Sequence, residues 1–142
     1  MIGVDCNVLV QLAIGDHPAN ARTLAVVESQ AEQGEKLVLP SLVATEFLHV
    51  VTDERRFAPP LTMPEALDWI QEFLASPAVT LLEPTQASMD QAIRWMRQFN
   101  LGRKRILDTH LAAILHTSGV RRLLKPNPAD FAVFGVLETL TP

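Results

Sequence analysis

Only one cysteine, Cys6, occurs in the chain, so no internal disulfide is available, and its place in an apolar stretch reads as a reduced, buried thiol. No apolar run approaches the ~20 residues of a membrane-spanning helix. The N-terminus also lacks the basic region and cleavage site of a secretory signal, so the expectation is a cytoplasmic protein with no membrane partner. Neither a Gly-x-Gly-x-x-Gly nor a P-loop sequence is present, which leaves nucleotide-binding readings without support. Internal repeats, linkers and low-complexity tracts are missing too. There is no overall basic excess: the formal charge is −4, which runs against the general basic face of a nucleic-acid binder.

What is present suits one globular domain over residues 1–142. Hydrophobic residues make up 48% and charged residues 20% of the 142, and a chain of this size buries roughly two thirds of the surface its unfolded form exposes. The cations are few but grouped. Arg55-Arg56, Arg103-Lys104-Arg105, and Arg121-Arg122 with Lys125 each flank a segment that carries an acid in apolar surroundings. Solvated loop charge explains any one such group, whereas carboxylates ringed by cations suit a metal-dependent phosphodiesterase.

Strands and helices alternate along the chain. Residues 1–5, 36–39, 79–82, 122–124 and 136–140 read as strands. Helices follow from 3.6-residue apolar spacing: a short one after Asn7, one from Pro18 to Gly34, one over 42–54 capped by Ser41, one from Pro64, one over 86–99 capped by Thr85, and one over 108–118. This order predicts an α/β fold with a central, mainly parallel five-stranded sheet and helices on both faces. Trp69, Trp95, Met89 and Met96 fall within helices and read as core or dimer face.

Three acids stand out. Asp5 closes the first apolar run, Glu46 sits inside Ala44-Thr45-Glu46-Phe47-Leu48, and Asp108 follows Ile106-Leu107. A carboxylate at the tip of a buried strand stands where α/β proteins place their chemistry. Plainer roles compete: Asp5 is equally placed to cap the helix after it, and Asp108 to cap its own. Glu46 has no such role and no Lys or Arg four residues on. His49 and His110 read as helix histidines rather than ligands.

In this order and spacing, Asp5 with Asn7, Leu39-Pro40 leading to Glu46-Phe47, Asp108 before an Ala-rich helix, and Asn127-Pro128-Ala129-Asp130-Phe131 resemble the PIN-domain nucleases. The likeness is to the small VapC-type ribonuclease toxins of toxin-antitoxin pairs, and it covers residues 1–135. It implies a single PIN-like domain with the first strand central, between the second and the fourth. It implies Asp5, Glu46 and Asp108 as catalytic metal ligands for Mg²⁺, with Mn²⁺ as substitute, hydrolysing RNA through an ion-bound water. Asn7 and Thr109, and with them Arg103, Lys104, Arg105 and Lys125, would lie near the substrate or behind the ligands. A VapB-like antitoxin and a homodimer are further implications.

The chain departs from the fullest family pattern after the fourth strand, where Thr-x-Asp or Thr-x-Asn is common and Lys125-Pro126-Asn127 stands instead. Asn127 reaches an ion only through water and brings no charge, while Asp130, three residues on, is the candidate to supply the missing carboxylate to the metal. Lys125 is expected to contact phosphate. The alternative reading is a catalytically inactive PIN-like module that binds RNA or protein. A receiver-type module lacks its acceptor, since the third strand ends Leu82-Glu83-Pro84, and a dehalogenase-type phosphatase lacks its second acid, since residue 7 is Asn.

Overall fold

The computed structural model describes residues 1–142. Five strands, β1 (Ile2–Val4), β2 (Leu37–Pro40), β3 (Val79–Leu82), β4 (Arg122–Leu124) and β5 (Glu138–Leu140), form one sheet in the order β3-β2-β1-β4-β5. Every neighbouring pair is parallel. The continuous apolar runs Ile2-Gly3-Val4 and Leu37-Val38-Leu39 are what strands covered on both faces require, and all six residues are buried. β1 is central, as expected, so chain order reverses there and opens the crevice in which such sheets place their sites.

Six helices join the strands: α1 (Cys6–Ala13), α2 (Asn20–Glu32), α3 (Ser41–Val51), α4 (Met63–Ala75), α5 (Gln86–Gln98) and α6 (Ile106–Thr117). Short 3₁₀ turns cover Arg103–Arg105 and Ala129–Phe134. Two close approaches fix the helices that carry the acids. On α6, Leu115 meets β1 at its only glycine: a Cβ built on Gly3 would stand 2.6 and 2.7 Å from the Leu115 methyls. On α3, buried Phe47 lies 4.9 Å from the Trp69 ring of α4, which stacks on Phe73 at 5.3 Å. Trp95 of α5 meets Phe134 at 5.0 Å, tying the second 3₁₀ turn to the core.

Several boundaries differ from the sequence expectation, each for a local reason. Ser41 does not cap α3: Pro40 is the residue before the first turn, and the Ser41 hydroxyl donates instead to Glu83 at 2.6 Å. Pro18 lies outside α2, which begins at Asn20. The Asn20 side chain donates to the carbonyls of Gln11 and Leu12, tying that start to the end of α1. Basic Arg103-Lys104-Arg105 is a 3₁₀ turn running straight into α6, so Asp108 lies in the first helical turn and is not the cap. The last strand is shorter than expected, at Glu138–Leu140. Thr85 caps α5 as expected, accepting from the Ser88 amide at 3.1 Å.

Candidate active site

Register brings the first two site residues together. Val4 pairs with Leu124 across β1 and β4, and the Asp5 amide donates to the Leu124 carbonyl at 3.2 Å. The next residue of each strand, Asp5 and Lys125, therefore leaves the sheet at the same edge. The Lys125 Nζ donates to Asp5 Oδ2 at 2.8 Å, with both side chains 7% exposed. The other oxygen, Asp5 Oδ1, accepts from the Asn7 amide at 2.9 Å and caps α1. Capping and site-building are thus divided between the two oxygens of one carboxylate.

Asp108 arrives from the first turn of α6. Its Oδ1 lies 3.8 Å from Lys125 Nζ and its Oδ2 lies 3.8 Å from Arg105 Nε. Burial raises its pKa above the usual carboxylate value. Lys125 and Arg105 oppose that rise, and Asp5 and Asp130 add to it. Glu46 enters from the second turn of α3, and its pKa is also raised, by burial first and then by the charges of Asp5 and Asp108. The charges of Asp5 and Asp108 reach Glu46, and that of Asp5 reaches Asp108, which places all three around one region. Glu46, Asp108, Arg103, Lys104 and Leu107 line a cleft of about 450 Å³.

The remaining expected residues divide sharply. Arg103 and Lys104 are exposed on the wall of that cleft, where a phosphate contact requires them. Arg105 turns inward instead: its guanidinium bridges Asp108 and Asp130, at 3.7 Å from Asp130 Oδ1, and donates to the Asp130 carbonyl. Thr109 is wholly buried and its hydroxyl donates to the Arg105 carbonyl at 2.6 Å, so it faces its own helix rather than a substrate. Lys125, expected at phosphate, is 5% exposed beneath the acids and 4.9 Å from the centre of the Phe131 ring. Asn7 serves through its backbone amide. Asn127 is exposed and takes part in none of the site's hydrogen bonds. Asp130 reaches the site only through Arg105 and its charge on Asp108.

Two participants were not assigned a role from the sequence. Arg56, exposed after α3, offsets the negative field at Glu46, and Phe131 gives Lys125 an aromatic face. The run Arg55-Arg56 and the aromatic after Asp130 were the available signals. Burial pushes the Cys6 thiol well up, so it stays protonated and inert beside Asp5. His110 carries a pKa lowered by burial and faces no acid of the site.

An all-oxygen donor set whose members repel one another suits a hard divalent cation. The acids do not stand as a ready cage, since no three His, Cys, Asp or Glu side chains are drawn together in that way. The ammonium of Lys125 bridges Asp5 and Asp108 instead. The chemistry of the donors fits an ion, provided the Asp5–Lys125 contact shares Asp5 with it or yields to it.

Comparison with known proteins agrees with this fold. The PIN domain family model matches residues 2–125. The VapC ribonuclease Mb2897 of Mycobacterium bovis and ribonuclease VapC43 of Mycobacterium tuberculosis are each 32% identical over 113 residues, covering 80% of this chain and 77% of theirs. Among solved structures, Mycobacterium tuberculosis VapC20, described as a sarcin-ricin loop cleaving toxin, superposes with a TM-score of 0.76 at 15% identity over the full length of both chains. VapBC2 from Rickettsia felis, bound to a promoter DNA fragment, gives 0.72 at 15% identity, covering 100% of this chain and 99% of that one. At such identity these two speak for the fold.

Proposed function

The chain belongs to the PIN-domain family, in its VapC-type branch, and from that premise we propose that it is a divalent-metal-dependent endoribonuclease and the toxin of a type II toxin-antitoxin pair. The observation that carries the reading is the meeting of Glu46 and Asp108 in a cleft walled by Arg103 and Lys104, with Asp5 behind them. The relatives named as ribonucleases support the substrate class.

Asp5, Glu46 and Asp108 would hold Mg²⁺ or Mn²⁺, directly or through water. When bound, such an ion lowers the pKa of a coordinated water and offsets charge on the phosphoryl oxygens. The chain's own residues supply the rest. Arg103 and Lys104 draw the RNA backbone to the cleft mouth. Arg105 holds the Asp108 carboxylate in place from behind, and the amide of Asn7 does the same for Asp5. Hydrolysis adds the water oxygen to phosphorus and breaks the bond to the departing ribose oxygen.

A VapB-like antitoxin is part of the same reading, supported by the VapBC complexes among proteins of this fold, and the carboxylates of Glu46 and Asp108 suit a basic side chain from it. We assign the protein to the cytoplasm, where its RNA substrate and antitoxin would meet it; none of its helices is long and apolar enough to cross a membrane. A homodimer is part of the same reading, with Met89 and Ile93 exposed on α5 as apolar surface for it; a monomer by light scattering contradicts it. One observation favours the binding-only module, namely the Lys125 ammonium already neutralising Asp5. Incubation of the purified protein, free of partner, with structured RNA and Mn²⁺ separates the two readings: cleavage supports the nuclease, and binding without cleavage supports the module.

A further inference from the structure

Both oxygens of Asp5 are already engaged by the protein, Oδ1 by the Asn7 amide and Oδ2 by Lys125 Nζ. The lysine is not a surface side chain that happened to fold inward. Its position is set by the β1–β4 register, the residue is buried with its ammonium over Phe131, and it reaches 3.8 Å from Asp108 as well. A cation so placed touches two of the three acids that would hold a divalent ion. Two cations close to the same carboxylates repel each other, and more strongly in a partly buried site than in water.

We propose that Lys125 is a built-in counter-ion that competes with the divalent cation for Asp5 and so sets the affinity of the site for its metal. The inference rests on the nuclease reading for the identity of the ion. It makes the empty and loaded sites two states of one contact. Without metal, Lys125 satisfies Asp5, and the buried carboxylate keeps a partner. With metal, the Lys125–Asp5 hydrogen bond lengthens or breaks, and that cost is subtracted from the binding of the ion.

The test measures metal binding directly, by calorimetry with Mn²⁺, on the wild type, Lys125→Met and Lys125→Arg. Methionine keeps an unbranched chain and removes the charge. The expected result is tighter binding in Lys125→Met, by about 10-fold or more, because a unit positive charge within about 4 Å of two of the ligands is removed, with Mn²⁺ raising its Tm more than that of the wild type. Lys125→Arg stays near wild type. Equal or weaker binding in a folded Lys125→Met overturns the inference, as does the absence of binding in both. A second measurement needs no variant: in ¹⁵N-lysine-labelled wild type, the ammonium signal of Lys125, shielded from exchange, shifts as Mg²⁺ saturates the site. Saturation without a shift overturns the proposal. RNA cleavage is scored separately, so metal binding with the expected lysine response but no cleavage counts against the nuclease reading and leaves the counter-ion standing.

Discussion

Gly3 on β1 and Leu115 on α6 touch so closely that no Cβ fits between them: one built on Gly3 would lie 2.6 Å from a Leu115 methyl. This contact joins the strand that leads into Asp5 to the helix that begins near Asp108. Leu115 is fully buried within the core cluster, so its methyls move only against other core side chains. Gly3→Ala is expected to destabilise the fold by about 1–3 kcal/mol, the usual cost of overpacking a core. Denaturant unfolding checks this, and combining it with Leu115→Val recovers part of the loss. An unchanged midpoint for Gly3→Ala contradicts the packing described.

Glu46 gives a pH prediction whose sign follows from burial. Its pKa is raised in the folded protein, so the folded state binds a proton more readily than the unfolded chain, and stability falls as pH rises from the ordinary carboxylate value through the raised one. Glu46→Gln removes that loss. The variant is therefore expected to be more stable than wild type near neutral pH in metal-free buffer, with the advantage shrinking as pH falls below the carboxylate range. Comparing the two proteins at both pH values isolates Glu46 from Glu35 and Asp53, whose pKa values are lowered by their partners. Equal stability at neutral pH contradicts the prediction.

Arg103 and Lys104 stand on the cleft wall, and their role is electrostatic. Replacing both by alanine is expected to weaken RNA binding irrespective of sequence. It also flattens the dependence of log K on log salt by roughly 1.4, at about 0.7 per phosphate contact for a single strand. Fluorescence anisotropy across a salt series measures the slope. An unchanged slope means that RNA enters elsewhere. Arg105→Ala differs in kind, because Arg105 faces Asp108 and Asp130; its effect falls on the arrangement of the acids.

Much of this site was legible in the chain because its carriers are local patterns. An apolar run ending in Asp5, an acid inside an apolar helix face at Glu46, and an acid at a helix start at Asp108 each read from a few neighbouring residues, and the alternation of strands and helices gave the α/β class. What the residues alone leave open depends on partners far away in sequence. Lys125 reads as a phosphate contact or as a residue behind the ligands, and its burial against Asp5 follows from the pairing of Val4 with Leu124, which spacing alone does not reveal. Within Arg103-Lys104-Arg105 the sequence offers three like cations, and only the 3₁₀ turn decides that the third points inward to Asp108. Thr109 reads as available beside Asp108, whereas its hydroxyl donates to the Arg105 carbonyl. Ser41 lost its capping role to Glu83 at the far end of β3.

The central claim, that Asp5, Glu46 and Asp108 form a metal-dependent RNA-cleaving site, is tested most directly by one assay. Purified protein, freed of any partner, is incubated with a panel of structured RNAs in Mg²⁺ or Mn²⁺, with and without EDTA, beside Asp108→Asn shown to be folded. The account predicts cleavage that requires the ion and falls by about 100-fold or more in the variant, the scale on which a single catalytic group commonly acts. Cleavage that persists undiminished in EDTA or in folded Asp108→Asn would contradict it.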